Sequence, residues 1–182
     1  MVSCNGLDAV SSEELHAYVL NPKNGLMKSL SDGDIRVDLV YRPKDLVVEQ
    51  EADGDTGRRE EAERNLDSLD YFILQVSRNG NEIENEHAGN PDKFSKIIGH
   101  LSSSIAADIY LLKERKFYPE SSILARGYGM SGATSVLLVF KTALSKQKDS
   151  FTIIFDDSFL GIGRKEFQFE CDDIHDAPRL KL

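Results

Sequence analysis

The apolar residues of this chain fall into short runs, and the densest of them lie between Ser135 and Cys171. Ser135-Val-Leu-Leu-Val-Phe140, Phe151-Thr-Ile-Ile-Phe155 and Glu166-Phe-Gln-Phe-Glu-Cys171 are rich in β-branched or aromatic residues. Each is bounded by turn or charged residues. The third alternates strictly, with Phe167, Phe169 and Cys171 on one side and Glu166, Gln168 and Glu170 on the other. A period of two with one polar side predicts strands with one wet face. Together these runs predict the core of a mostly antiparallel β domain.

The same pattern recurs upstream. Ile35, Val37, Leu39 and Tyr41 alternate with Arg36 and Asp38, which predicts a strand that Arg42-Pro43 stops, because proline has no ladder donor. Leu46-Val-Val48 fits either a continued strand or the start of a helix. Tyr71-Phe-Ile-Leu-Gln-Val-Ser77 predicts a second strong strand. The following Asn79-Gly80 is a hairpin turn signal, since both residues accept positive φ, with a short partner at Glu82-Ile-Glu84. Asp108–Lys113 and Ser122–Ala125 are further strand candidates.

Helical spacing is rarer. Ser11 or Ser12 can cap a short helix in which Leu15, Tyr18 and Val19 share a face. Phe94, Ile97, Ile98, Leu101 and Ile105 form one apolar stripe, which predicts a main helix from Asp92, its N-cap, to Ser104. Residues 49–67 form a charge-rich insert, a loop followed by a solvated helix. Residues 1–10 and 175–182 are expected to fray. The predicted fold is therefore α+β, a single domain over 1–182. It is a mostly antiparallel β-sandwich or bent sheet of about seven strands with one main packed helix.

Composition narrows the classes. At 182 residues the chain can bury a core without a disulfide or metal staple. Hydrophobic residues make up 40% and charged residues 29%, which argues against global disorder. The formal net charge of −9 disfavours a phosphate backbone as partner and leaves basic or apolar partners open. No apolar run reaches the roughly 20 residues a helical membrane span needs.

Candidate chemistry is sparse. Gly127-Tyr-Gly129-Met-Ser-Gly132 fits G-x-G-x-x-G, but the dinucleotide site needs a helix after it, and Thr134 to Phe140 is crowded with strand formers. The glycines read as a loop. Carboxylates gather at Asp53 and Asp55, at Asp156-Asp157, and at Asp172-Asp173 with His175 and Asp176. None follows the EF-hand spacing, and the sharpest calcium arrangement would pair Asp156 or Asp157 with Asp172 or Asp173 across strand ends. A metal-dependent hydrolase would have to use the Asp172 to Asp176 acids. His100 reads as a helix-edge residue. Cys171 reads as a small hydrophobe in the last strand, with a Cys4 disulfide as the alternative. No catalytic motif, metal or cofactor is called for. The best contact candidates are Tyr118, Arg126, Tyr128 and Met130, because aromatic, Arg and Met side chains are enriched at interfaces.

Val2-Ser3-Cys4 resembles the end of a bacterial lipoprotein signal, with Met1 in place of the usual Leu, which makes Cys4 a candidate lipidation site. An ordinary terminal cysteine is the alternative. Further segments point the same way: Tyr18-Val-Leu-Asn-Pro22, Val40-Tyr-Arg-Pro43, Asn79-Gly-Asn-Glu-Ile83, Tyr128-Gly-Met-Ser131 and Gly161-Ile-Gly163. They resemble those of small uncharacterised bacterial lipoproteins with no assigned activity. That resemblance implies a secreted or membrane-tethered domain and nothing about a ligand; the first functional expectation is a non-catalytic, lipid-anchored cell-envelope domain that binds a protein or surface component. Its only contact with the membrane would be the N-terminal lipid. The alternative is a small acidic cytoplasmic protein that neutralises a basic toxin.

Overall fold

The computed structural model of the chain describes residues 9–127 and 130–181. Its strands form two antiparallel sheets. The larger sheet runs β1 (Met27–Asp32), β2 (Ile35–Arg42), β3 (Asp70–Arg78), β8 (Thr134–Phe140) and β7 (Ser121–Ala125). The short β4 (Asn81–Glu82) also pairs with the end of β3. The smaller sheet runs β10 (Gly163–Phe169), β9 (Phe151–Asp157), β5 (Ile109–Leu112) and β6 (Lys116–Phe117). The alternation read from the sequence is the alternation of burial. In β8, Thr134, Val136, Leu138 and Phe140 are buried, and Ser135, Leu137 and Val139 face the other way.

The inner faces of the two sheets meet in one core, with Leu39, Leu74 and Val136 in register across the larger sheet and Ile153 and Phe167 across the smaller. Phe72 sits at its centre. Its ring meets Tyr41, Phe140, Phe151 and Phe169 edge-on at centroid distances of 5.3, 5.8, 6.1 and 5.6 Å. Edge-to-face geometry suits the aromatic quadrupole and adds to the burial of large apolar area. Asn79 and Gly80 both take positive φ, 50° and 72°, in the turn from β3 to β4, as the hairpin requires.

Several expectations are corrected. The described residues form ten strands, because β1 and β6 join those read from the sequence and the short hairpin partner, β4, is Asn81–Glu82. Leu46 to Val48 lie in α2 (Lys44–Ala52), which runs on through the first four residues of the charged insert and leaves only 53–55 as a loop before the next helix. Together with α3 (Thr56–Asn65) it makes a helical hairpin, and Val47, Val48, Ala62 and Leu66 pack on Tyr71, Leu137 and Val139 of the larger sheet's outer face. The first helix, α1 (Ser12–Leu20), has the capping box of Ser11 and Glu14.

The main helix, α4 (Pro91–Gly99), is capped by Asn90, whose side chain accepts from the Lys93 N–H at 3.1 Å. Asp92 is not the cap, because Pro91 already occupies the first helical position, where its missing N–H costs nothing. The helix then widens into a π turn, His100–Ser104, and tightens into a 3₁₀ turn, Ile105–Asp108. Leu101 and Ile105 carry the buried end of the stripe. Cys171 does not lie in the last strand. It opens α5 (Cys171–His175) and is fully buried. The C-terminal segment is tied down rather than frayed: Leu180 is buried and forms a parallel bridge with Val10, whose carbonyl accepts from Lys181 N–H at 2.7 Å.

Candidate functional site

The predicted contact residues flank one edge of the larger sheet. β7 lies at that edge and, among the described residues, pairs only with β8. Tyr118 precedes it, Ile123 is at its middle, and Arg126 and Met130 follow. Tyr118, Ile123 and Met130 are 52%, 56% and 88% exposed. Ile123 stands opposite Leu137 on the outer face, in a row that continues through Ile73 to Val40. Tyr128 and Cys4 lie outside the described residues. Ile123 was missed as a contact residue because a strand isoleucine is normally read as core.

The four sheet edges differ. β1 carries Lys28 and Asp32, β10 carries Arg164, Lys165 and Glu166, and β6 has two residues. Charge and shortness are the usual protections of an edge. β7, Ser-Ser-Ile-Leu-Ala, has neither charge nor proline.

The glycine-rich loop leads into β8, not into a helix, so the nucleotide-site arrangement is absent. Its glycine has a packing reason. A Cβ on Gly127 would fall 2.1 Å from Glu82 Oε1 and 2.8 Å from Ser131 Oγ. Glu82 is 1% exposed and accepts from Ser131 Oγ at 2.7 Å and Asn85 Nδ2 at 3.0 Å. Glu84, 4% exposed, accepts from the Thr134 hydroxyl, whose oxygen accepts from Ile83 N–H at 3.0 Å. These two glutamates knit the loop to the β3–β4 hairpin. Sequence reasoning passed them over because Glu82-Ile-Glu84 has the look of a solvated segment.

The paired-acid calcium arrangement does not form. In the β9–β10 register Asp157 faces Gly163 at one end, and Phe151 faces Phe169 at the other, just before Asp172. The two acid groups therefore sit at opposite ends of the hairpin. The Asp172 to Asp176 acids do not converge either: Asp172 is exposed and its carboxylate is 3.9 Å from His175 Nδ1. Cys171 is shielded from water, and burial pushes its thiol pKa up, away from the nucleophilic thiolate.

A histidine and two acids do converge elsewhere. His100, on the π turn, has a side chain only 12% exposed rather than lying free at a helix edge. Its Nε2 is 3.0 Å from Asp108 Oδ2, out of line for a hydrogen bond, and both atoms are shut off from water with no hydrogen-bond partner. The Phe159 ring stacks on the imidazole at 4.6 Å and 24°. Asp157 completes the group, and one ligand atom from each of the three lies within 4.8 Å of the others. The Asp157 carboxylate is fixed by the loop it closes: Oδ1 accepts from Phe159 N–H at 3.0 Å and Leu160 N–H at 2.8 Å, and Oδ2 from Ile162 N–H at 2.8 Å. Desolvation raises the Asp108 pKa; nearby His100 opposes that shift and the charge on Asp157 adds to it. The convergence spans 57 positions of sequence, and no local pattern signals it.

At the far end of β3, Asp70 is buried and closed. Its Oδ2 accepts from Thr142 Oγ1 at 2.7 Å and Leu144 N–H at 2.9 Å. The wider grooves are lined by both signs of charge, as in the one of about 860 Å³ between Lys113, Glu114, Arg115 and Asp149. Among the described residues no helix is long and apolar enough to cross a membrane. Comparison with family models, with curated proteins and with solved structures gives no match.

Proposed function

We propose that this chain is a non-catalytic binding domain whose partner, a protein or a surface component of the cell envelope, docks along β7. The observation that carries the reading is the edge strand itself: it is uncharged, pairs among the described residues only with β8, presents exposed Ile123 and is flanked by exposed Tyr118 and Met130. An added strand would take up its free backbone groups, and alternate side chains would give specificity. Buried acids support a structural use of most polar groups, since Glu82, Glu84, Asp70 and Asp157 each accept hydrogen bonds that fix a loop or turn. A lipid on Cys4 would hold the domain at a membrane surface.

The test is a photo-crosslinking residue placed at Ile123 and, as a control, at Leu30 on the β1 edge, in cells that make the protein. One defined species captured at Ile123 and not at Leu30 supports the reading. Equal capture at both, or none at either, refutes it. With the crosslinking residue at Tyr118 instead, Ile123→Lys should abolish capture, and it should change stability by less than about 0.5 kcal/mol, as is usual for an exposed position.

The net charge of −9 favours a second reading, an acidic cytoplasmic inhibitor of a basic toxin. Salt separates the two. Association with a basic toxin would weaken steeply with ionic strength, whereas strand addition at an uncharged edge would not.

A further inference from the structure

We propose that His100, Asp108 and Asp157 form a binding site for one divalent transition-metal ion, zinc by its donor set. Three elements supply the ligands: the π turn, the end of the 3₁₀ turn and the last residue of β9. An imidazole nitrogen with two carboxylates is a donor set for zinc and its neighbours rather than for calcium, which takes oxygen only. Neutral imidazole and two carboxylates also balance a double positive charge.

The distances fit an ion. Donors about 2.1 Å from a tetrahedral zinc stand about 3.4 Å apart. His100 Nε2 and Asp108 Oδ2 are 3.0 Å apart, and all three donor atoms lie within 4.8 Å of one another. Closing a pair at the 4.8 Å limit to that spacing takes about 1.4 Å, supplied by rotation of the His100 and Asp108 side chains.

The surroundings have the second layer that metal ligands require. Ligating carboxylates and imidazoles are held in orientation by outer partners. Here three backbone N–H groups orient Asp157, and the Phe159 ring fixes the plane of His100. A carboxylate offers about four lone-pair positions, so Asp157 keeps one for a metal. An ordinary His–Asp ion pair would turn its N–H onto the carboxylate. In this pair the atoms are close but misaligned, and neither reaches water. Buried polar atoms left unsatisfied are costly, and an ion between them satisfies both. A π turn is frequent at functional sites, and here it is what carries His100.

The experiment uses tag-free full chain, stripped with chelator and titrated with zinc alone by calorimetry. One zinc per chain is expected. Zinc at a hundred times its Kd should raise the melting temperature by about 5–10 °C. His100→Ala and Asp108→Asn should each weaken binding by more than the roughly 10–100-fold that losing an outer partner costs. Asp157 is left intact because its loop depends on it. Should either variant fail to fold, cobalt(II) decides on the wild type: an ordered low-coordinate site gives visible absorption bands that zinc displaces. No saturable zinc binding, no zinc-displaceable cobalt bands, or unchanged affinity in folded His100→Ala and Asp108→Asn overturns the proposal.

Discussion

Asp70 and Asp108 are both partly desolvated acids, and burial raises the pKa of each. They stand at opposite ends of the sandwich and are treated differently. Asp70 spends its Oδ2 on the Leu144 N–H and the Thr142 hydroxyl, so it holds the segment after β8 onto the start of β3. Asp108 has His100 Nε2 beside its buried oxygen, badly aligned, with the acid of Asp157 close by. A closed acid is part of the framework. An open one, facing a second open atom, is available to a ligand. Asp157 joins the two cases, since it is closed by three N–H groups and still borders the open pair.

The largest effect expected from this contrast is at Asp157. Asp157→Ala strips three backbone donors of their acceptor, one of them on buried Ile162. An unsatisfied buried group costs about 1–3 kcal/mol and the two half-buried donors add less because water can reach them, so a loss of about 3 kcal/mol is expected. Urea denaturation should show a lower midpoint at unchanged slope. A loss below about 1 kcal/mol would mean that the loop does not depend on this carboxylate.

Asp70→Ala should cost about 2 kcal/mol for the same reason. Asp70→Asn keeps an acceptor and should cost less. The pair also gives a pH signature. The folded-state pKa of Asp70 is raised, so the folded protein holds this proton more tightly than the unfolded chain. The stability this group contributes is fully present below the unfolded value of about 3.9 and is lost as pH rises through the folded value. Wild type should therefore decline relative to Asp70→Asn over that window and then run parallel to it. A difference that grows in the opposite direction would place Asp70 among ordinary stabilised carboxylates.

Asp108→Asn should have the smallest effect. In metal-free protein it removes a desolvated charge that has no aligned donor, so stability should stay within about 1 kcal/mol of wild type or rise. A loss beyond that would make the His100–Asp108 pair a structural bridge, and the contrast with Asp70 would fail.

The parts of this fold that depend on local pattern were legible in the sequence. The core strands show in their period of two, the β3–β4 turn in Asn79-Gly80, and α1 in a serine cap at Ser11 or Ser12 with Leu15, Tyr18 and Val19 on one face. β1 escapes a sequence reading because its two apolar residues, Met27 and Leu30, are three apart and Leu30 is exposed, so no period of two marks it. Asp92 was taken as the cap because it heads the apolar stripe, yet Asn90 is placed one residue before Pro91. Cys171 continued an alternation that the backbone abandons at Phe169. The Val10–Leu180 bridge and the meeting of His100 with Asp157 join residues far apart in the chain, and such contacts follow from the packing of whole sheets. Tyr118 and Met130 are identifiable by residue type, whereas Ile123 requires the knowledge that β7, among the described residues, pairs only with β8.

The most direct measurement is an anomalous difference map from crystals grown with stoichiometric zinc after chelator treatment. The account predicts one strong peak bonded to His100 Nε2 and to a carboxylate oxygen of Asp108 and of Asp157, at about 2.0–2.2 Å. A map with its zinc only at His16, His87 or His175, or with no peak at all, would contradict it.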